Sequence, residues 1–399
     1  MTGYKSPEEY QAQISMLSHE IYELNKQLDL KNEEIQQGQL PDKFNPFDNP
    51  TDYPDYSGDY SDIVPQIVIP GCKIPVEPCK AEKKRIRHFY SIGGACIIFH
   101  WAAAAVLSTA AMSLIMLILG FMHPDVSTAV LTDYVYATSI VTAITAIAYL
   151  LCNTIFSFVG LKWAKISPSS LIQTRDFSFA KGIQYCLAAI FIQYGASIFS
   201  TIFTDVISKY GYSADVLDDS SLAQNGLGIA VTIIYGCIIA PITEELFFRG
   251  MLMKVFSRAN QRFAIVATAI FFGLAHGNLA QFMLAFLLGI FLAHIDLKHN
   301  SLLPSVLVHI FLNTISTAFN YMMDENDMLT TAALNIIYML MAGAGLIMFI
   351  EFSLKNKLPS TTPQQSRRGF AVAKTSIPVI CAFGLQAVYL VLLILVNTI

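Results

Sequence analysis

Charge is what this sequence has least of. Asp, Glu, Lys and Arg make up 14% of its 399 residues, where an ordinary soluble domain carries about a quarter. Hydrophobic residues make up 54%, too many to hide under so thin a charged surface. Paired cysteine motifs are also missing. The seven cysteines include no CxxC pair and no zinc-ribbon spacing, which removes the usual structural-zinc readings. Cys72 and Cys79, just ahead of the first apolar run, read as reduced cytoplasmic thiols. Cys96, Cys152, Cys186, Cys237 and Cys381 fall inside apolar runs and read as small hydrophobes. The first 85 residues are polar, with no apolar stretch of secretory-signal type, so membrane insertion is expected to rely on internal helices.

Long apolar runs are present instead. They lie near 91–121, 137–160, 182–204, 227–256, 263–276, 281–295, 302–322, 332–352 and 377–398. A full span takes about 20 apolar residues, so the fifth and sixth read as tilted or partly re-entrant. The connecting loops alternate in basic residues. Lys80, Lys83, Lys84, Arg85 and Arg87 precede the first run. Lys162, Lys165, Arg175 and Lys181 follow the second, Arg258 and Arg262 (flanked by Lys254) follow the fourth, and Lys298 follows the sixth. Lys355, Lys357, Arg367, Arg368 and Lys374 follow the eighth. The intervening loops carry only Lys209. Nine spans with a cytoplasmic N-terminus satisfy the positive-inside rule at every turn. The expected class is all-α: a polytopic, multi-pass bundle in a cell membrane.

The N-terminal region divides in two. Ile14, Leu17, Ile21, Leu24 and Leu28 form a short heptad seam within 7–37. It reads as a cytoplasmic helix that self-associates as a coiled coil or stays solvated. Residues 38–78 are rich in Pro, Asp, Gly and Tyr without periodicity, as in a flexible linker. The organisation is then a helix over 1–37, a linker over 38–88, a transmembrane region over 89–352, and a cytoplasmic loop with a last span over 353–399.

Against this background the run Pro241–Gly250 stands out. Glu244, Glu245 and Arg249 sit inside an apolar stretch, although one charge at the centre of a membrane helix costs about 2.5–3.5 kcal/mol on insertion scales. Such groups are expected to face a cavity. Glu245 and Arg249 are i,i+4 neighbours and can pair, while Glu244 points about 100° away. His276 ends the next segment, and His309 and Asn313 share a face of the seventh. Counted from the basic turn near residue 260, Glu245 and His276 reach a similar depth, with His309 and Asn313 about 10–16 Å in from Leu302. A buried carboxylate beside a histidine can take a proton from water, and a His–Asn pair can donate to a developing oxyanion. His294, Asp296 and His299 read as a solvated helix end, His100 as a packed or interfacial residue, and Glu351 as a headgroup-level partner of Lys355. Gly273, Gly277 and Gly289 read as points of close helix packing.

Glu244-Glu245-x-x-x-Arg249-Gly250, Phe272-x-x-x-His276 and His309-x-x-x-Asn313 stand in this order on successive apolar segments. Together they resemble the three signature motifs of the CPBP intramembrane proteases, the CAAX protease and bacteriocin-processing (Abi) family, over roughly 180–352. The resemblance implies an eight-helix core and an endopeptidase acting on a peptide or protein substrate. It implies Glu244 as general base, His276 as the group that binds and polarises water, and His309 with Asn313 as the oxyanion site. Glu245 and Arg249 would shape that site. A zinc ion held by Glu244, His276 and His309 is an alternative, although the HExxH spacing of soluble zinc proteases is absent; a metal-free, glutamate-dependent reaction is favoured. Two other classes remain. One is a proton-coupled transporter using the Glu/Arg/His groups as a relay, and the other is a silent scaffold working through the N-terminal helix.

Overall fold

The computed structural model describes residues 6–36, 80–172, 177–209, 225–277, 279–323, 327–356 and 370–396. Cys72, Cys79 and most of the linker lie outside them. The chain forms two compact units, Met1–Asn45 and Pro46–Ile399.

The described residues of the first unit form one helix, α1 (Pro7–Gln36). Its start is a reciprocal cap. The Glu9 amide donates to Ser6 Oγ at 3.2 Å, and the Ser6 amide donates to Glu9 Oε2 at 2.8 Å. Pro7 takes the first helical position, where its missing N–H costs nothing. Ile14, Leu17, Ile21 and Leu24 of the seam are all exposed within this unit.

The second unit is helical throughout its described residues. Its elements are α2 (Lys80–Met122), α3 (Thr128–Ala137), α4 (Ile140–Trp163) and α5 (Phe179–Ser208). They continue with α6 (Gly226–Ser257), α7 (Gln261–Ala275), α8 (Leu279–His299), α9 (Leu303–Met322), α10 (Met328–Lys355) and α11 (Ile377–Val396). Each of the nine apolar runs is helical over most of its described residues. Six of these are long and apolar enough to cross a membrane: Lys83–Met122, Ile140–Trp163, Phe179–Val206, Gly226–Ser257, Gln281–His299 and Met328–Lys355. The apolar helix Gln261–Ala275 is shorter. A multi-pass helical membrane bundle follows.

Packing is tightest where glycine removes a side chain. A Cβ on Gly345 of α10 would run into the Leu187 carbonyl of α5, and one on Gly94 of α2 would lie 2.5 Å from the Pro378 and Val379 backbone of α11. Replacing Gly345 with Ala is expected to cost about 1–3 kcal/mol by pushing α5 and α10 apart. Gly343, with open space around it, provides the control. The Gly345 variant should melt lower in detergent while Gly343→Ala melts like the parent. Tyr185, Ala188, Ile192, Leu288, Leu292, Val308 and Leu312 fill the core between α5, α8 and α9.

Three sequence expectations are corrected here. The lysine-poor stretch 122–136 holds α3, which Ser127 caps by accepting from the Val130 amide. Lys254 and Arg258 do not simply mark a solvated basic turn. Lys254 is fully buried and donates from Nζ to the Ser170 carbonyl at 2.9 Å, and Arg258 is buried with its guanidinium 5.4 Å from the Phe89 ring. Asp296 and His299 are not solvated but fully buried. Asp296 accepts from the Ser305 amide at 3.1 Å and from Ser305 Oγ at 2.6 Å, and the His299 ring meets Tyr185 Oη at 2.8 Å. Gly277 has a conformational reason to be glycine. It sits at φ 62° directly after His276, which ends α7, in the left-handed conformation that closes many helices. Gly273 and Gly289 do pack closely, against Phe282 and Ala269 respectively. His100 is buried, and Glu351 pairs with Lys355 at 2.6 Å.

Candidate active site

The site is built on α6, and α6 is an irregular helix. Val231–Ile239 and Leu246–Met253 are wound as π-helix, with the α-helical turn Ala240–Glu245 between them. Widened turns of this kind occur often at functional sites. One cause is local. In π register the Ala240 amide bonds the Tyr235 carbonyl, and the next amide in that register would belong to Pro241, which has none. The Gly236 carbonyl is thereby left over. Asn313 Nδ2 of α9 donates to it at 2.9 Å. One N–H of the Asn313 amide is thus committed to holding α9 against the bend in α6.

The two carboxylates part company, as their 100° offset requires. Glu245 is fully buried, and its Oε1 accepts from Arg249 Nη1 at 2.9 Å and meets His309 Nδ1 at 2.8 Å. Arg249 is also fully buried. Its guanidinium lies 4.2 Å above the Phe272 ring, a cation–π contact that serves its flat face. Gly289 of α8 leaves room for the other edge, since a Cβ there would come within 3.2 Å of Arg249 Nη2. Phe272 also meets the rings of Phe248 at 5.1 Å, His276 at 5.0 Å and His309 at 5.8 Å, each edge-on. This single aromatic ties α7 to α6 and α9.

Glu244 is different. Its side chain is 26% exposed, and its Oε2 lies 3.9 Å from His309 Nε2. The bond from Nδ1 to a carboxylate places a proton on Nδ1, so the neutral ring turns an Nε2 lone pair towards Glu244. The histidine beside Glu244 is therefore His309. His276 is exposed at the end of α7, and its Nδ1 bonds the Phe272 carbonyl of its own helix at 2.8 Å, leaving Nε2 outward.

Further residues surround Glu244 that spacing did not single out. Tyr149 of α4 and Tyr235 of α6 lie within electrostatic range of its carboxylate. A buried chain runs from His100 Nε2 to Asn153 Oδ1 (2.7 Å) and from Asn153 Nδ2 to Thr243 Oγ1 (3.2 Å), across α2, α4 and α6. It fixes the residue directly before Glu244. Its only sequence signals were a histidine and an asparagine inside apolar runs. An apolar cleft of about 300 Å³ lies between α4 and α6, lined by Ala143, Ile147, Leu150, Ile234 and Tyr235 among others.

The donor set for zinc does not come together. Glu244 Oε2 and His309 Nε2 face each other, but a catalytic zinc takes three protein ligands. Among the described residues no group of three or more His, Cys, Asp or Glu side chains is placed to hold an ion.

Residues 226–315 match the family model described as Rce1-like, type II CAAX prenyl endopeptidase. No curated protein and no solved structure matches the chain. The matched stretch runs from the start of α6 through most of α9 and contains all three motifs. By that match and those motifs, residues 226–315 of this helical membrane protein are similar to the type II CAAX prenyl endopeptidases, within the CPBP or CAAX-protease family.

Proposed function

We propose that the chain is an intramembrane endopeptidase in which Glu244 and His309 together activate a water molecule. The observation that carries this reading is the 3.9 Å approach of Glu244 Oε2 to His309 Nε2, with the opposite ring nitrogen anchored on Glu245. A gap of that length suits one bridging water, which would donate one proton to each acceptor and present its lone pairs to a substrate carbonyl. Glu244 takes the proton as the new C–O bond forms, and later returns it to the leaving amine as the C–N bond breaks. Glu245 and Arg249 are positioning residues that act through His309. The second N–H of Asn313 supplies a donor for the oxyanion.

The cleft between α4 and α6 is the proposed route for the substrate. Its apolar walls suit an extended peptide carrying hydrophobic side chains or a lipid group, and the family description points to prenylated CAAX peptides. The test is purified protein in liposomes with internally quenched peptides, prenylated and unmodified. Cleavage of either supports the reading, and preference for the prenylated one supports the substrate class. Ion-coupled flux without cleavage would sink it in favour of a transporter. In the same assay His309→Gln, whose amide can still donate to Glu245, should lower kcat by about 10²–10⁴-fold with KM little changed.

A further inference from the structure

The stripe of α9 that carries His309 holds a polar side chain that the proposed reaction does not use. Ser305, His309 and Asn313 follow at intervals of four residues, so each lies about 40° round from the last. His309 Nδ1 meets Glu245, and Asn313 Nδ2 donates to the Gly236 carbonyl, both on α6. Ser305 turns instead to α8. Its amide donates to Asp296 Oδ1 at 3.1 Å and its Oγ to Asp296 Oδ2 at 2.6 Å, with both residues fully buried. The start of α9 explains the need for this contact. Its N-cap position is filled by Leu302 and has no side-chain cap, where Ser, Thr, Asp or Asn is usual. The Leu303 amide is met by Ser301 Oγ at 3.2 Å, and Pro304 has no amide to satisfy. The Ser305 amide is the next orphan donor of the first turn, and the carboxylate that accepts from it comes from another helix. That carboxylate stands on a fixed post. Leu288, Leu292 and Ile295 of α8 share a core with α5, and His299, at the end of α8, meets Tyr185 Oη of α5 at 2.8 Å.

We infer that Asp296 is a positioning residue for His309: it caps α9 from α8 and so sets the depth and rotation at which α9 presents that ring. The inference rests on the proposed pairing of His309 with Glu244. His309 lies one helical turn, about 6 Å, beyond Ser305, and Asn313 lies one turn farther. The ring is thus bracketed by two cross-helix bonds, Ser305 to α8 and Asn313 to α6. Between them its Nδ1 is held on Glu245 while Nε2 stands 3.9 Å from Glu244 Oε2. Removing the Asp296 carboxylate strands the Ser305 amide in the core and leaves α9 to shift on its remaining bonds. A displacement of about 1 Å can cost on the order of 10²-fold in rate.

The test compares Asp296→Ala, Asp296→Asn and Ser305→Ala in the full chain, in proteoliposomes of matched folded content. Asp296→Ala should lower kcat about 10–100-fold with KM changed less than about two-fold. Asp296→Asn should keep most of kcat. Its Oδ1 still accepts from the Ser305 amide, and its Nδ2 can donate to Ser305 Oγ, whose own proton then turns to the Leu302 carbonyl at 3.0 Å. Ser305→Ala keeps the amide contact and should fall between the two; it carries the same readouts where Asp296→Ala fails to fold. The second readout is independent of cleavage. In protein labelled with nitrogen-15 histidine, the His309 ring signals, identified by their loss in His309→Gln, report the proton on Nδ1. They should move in Asp296→Ala and stay in place in Asp296→Asn. Unmoved signals with parental kcat per folded molecule in Asp296→Ala would reduce Asp296 to a stabilising cap and overturn the proposal. So would an Asp296→Asn protein as impaired as Asp296→Ala. Signals that move in Asp296→Ala while the parent cleaves no peptide would support the positioning role and sink the protease reading alone.

Discussion

Replacing Arg249 with methionine is expected to destabilise the bundle by about 3–5 kcal/mol, the usual cost of removing one member of a buried ion pair. Arg249 and Glu245 are both fully buried and bonded at 2.9 Å. Methionine matches the length of the arginine stem but leaves the buried Glu245 carboxylate without the cation that pairs it. It also removes the cation from the face of Phe272, whose ring organises α6, α7 and α9. The folded fraction in detergent and the melting temperature should both fall sharply. Arg249→Lys should recover only part of the loss, because an ammonium cannot bond Glu245 and lie flat on the ring as the guanidinium does. In the double variant Glu245→Gln/Arg249→Met the second change should cost less than it does alone.

Glu244→Gln should do the opposite: near-complete loss of turnover, about 10²–10⁴-fold, with stability kept within about 0.5 kcal/mol of the parent. Glu244 is partly exposed and its approach to His309 is 3.9 Å, too long for a direct hydrogen bond. An amide there is nearly isosteric but cannot accept the proton. The contrast with Glu245→Gln is informative, because that variant should lose both turnover and stability. If both glutamates behaved alike, the division of labour between them would be wrong.

That division was half legible in the sequence. Helical geometry alone pairs Glu245 with Arg249 and turns Glu244 aside, and the contacts have this arrangement. Which histidine stands beside Glu244 was not legible. Equal depth brought His276 and Glu245 to one level, but depth says nothing about rotation around a helix axis, and it is the rotation of α9 that brings His309 to both glutamates. The π-helical turns of α6 were equally hidden. Pro241 was visible, yet the need for Asn313 to satisfy the Gly236 carbonyl appears only once the register is known. Asp296 and His299 were misread for a different reason. A polar group at the end of an apolar run looks solvated unless another helix covers it, as Ser305 of α9 covers Asp296 and Tyr185 of α5 meets His299 here. Lys254 misled in the same way. Counted as a topogenic charge, it is a buried donor to the Ser170 carbonyl. The all-helical class and the membrane setting needed none of this, since scarce charge and long apolar runs leave few other solutions.

The central claim is that water, activated at Glu244, is added across a peptide bond. The most direct measurement is proteolysis in heavy-oxygen water, with the cleaved peptide read by mass spectrometry in proteoliposomes of matched folded content. The account predicts one heavy oxygen in the new carboxylate of the product from the parent protein, and product at least 100-fold slower from Glu244→Gln. Labelled product at an unchanged rate from Glu244→Gln, or peptide carried across the bilayer uncut, would contradict it.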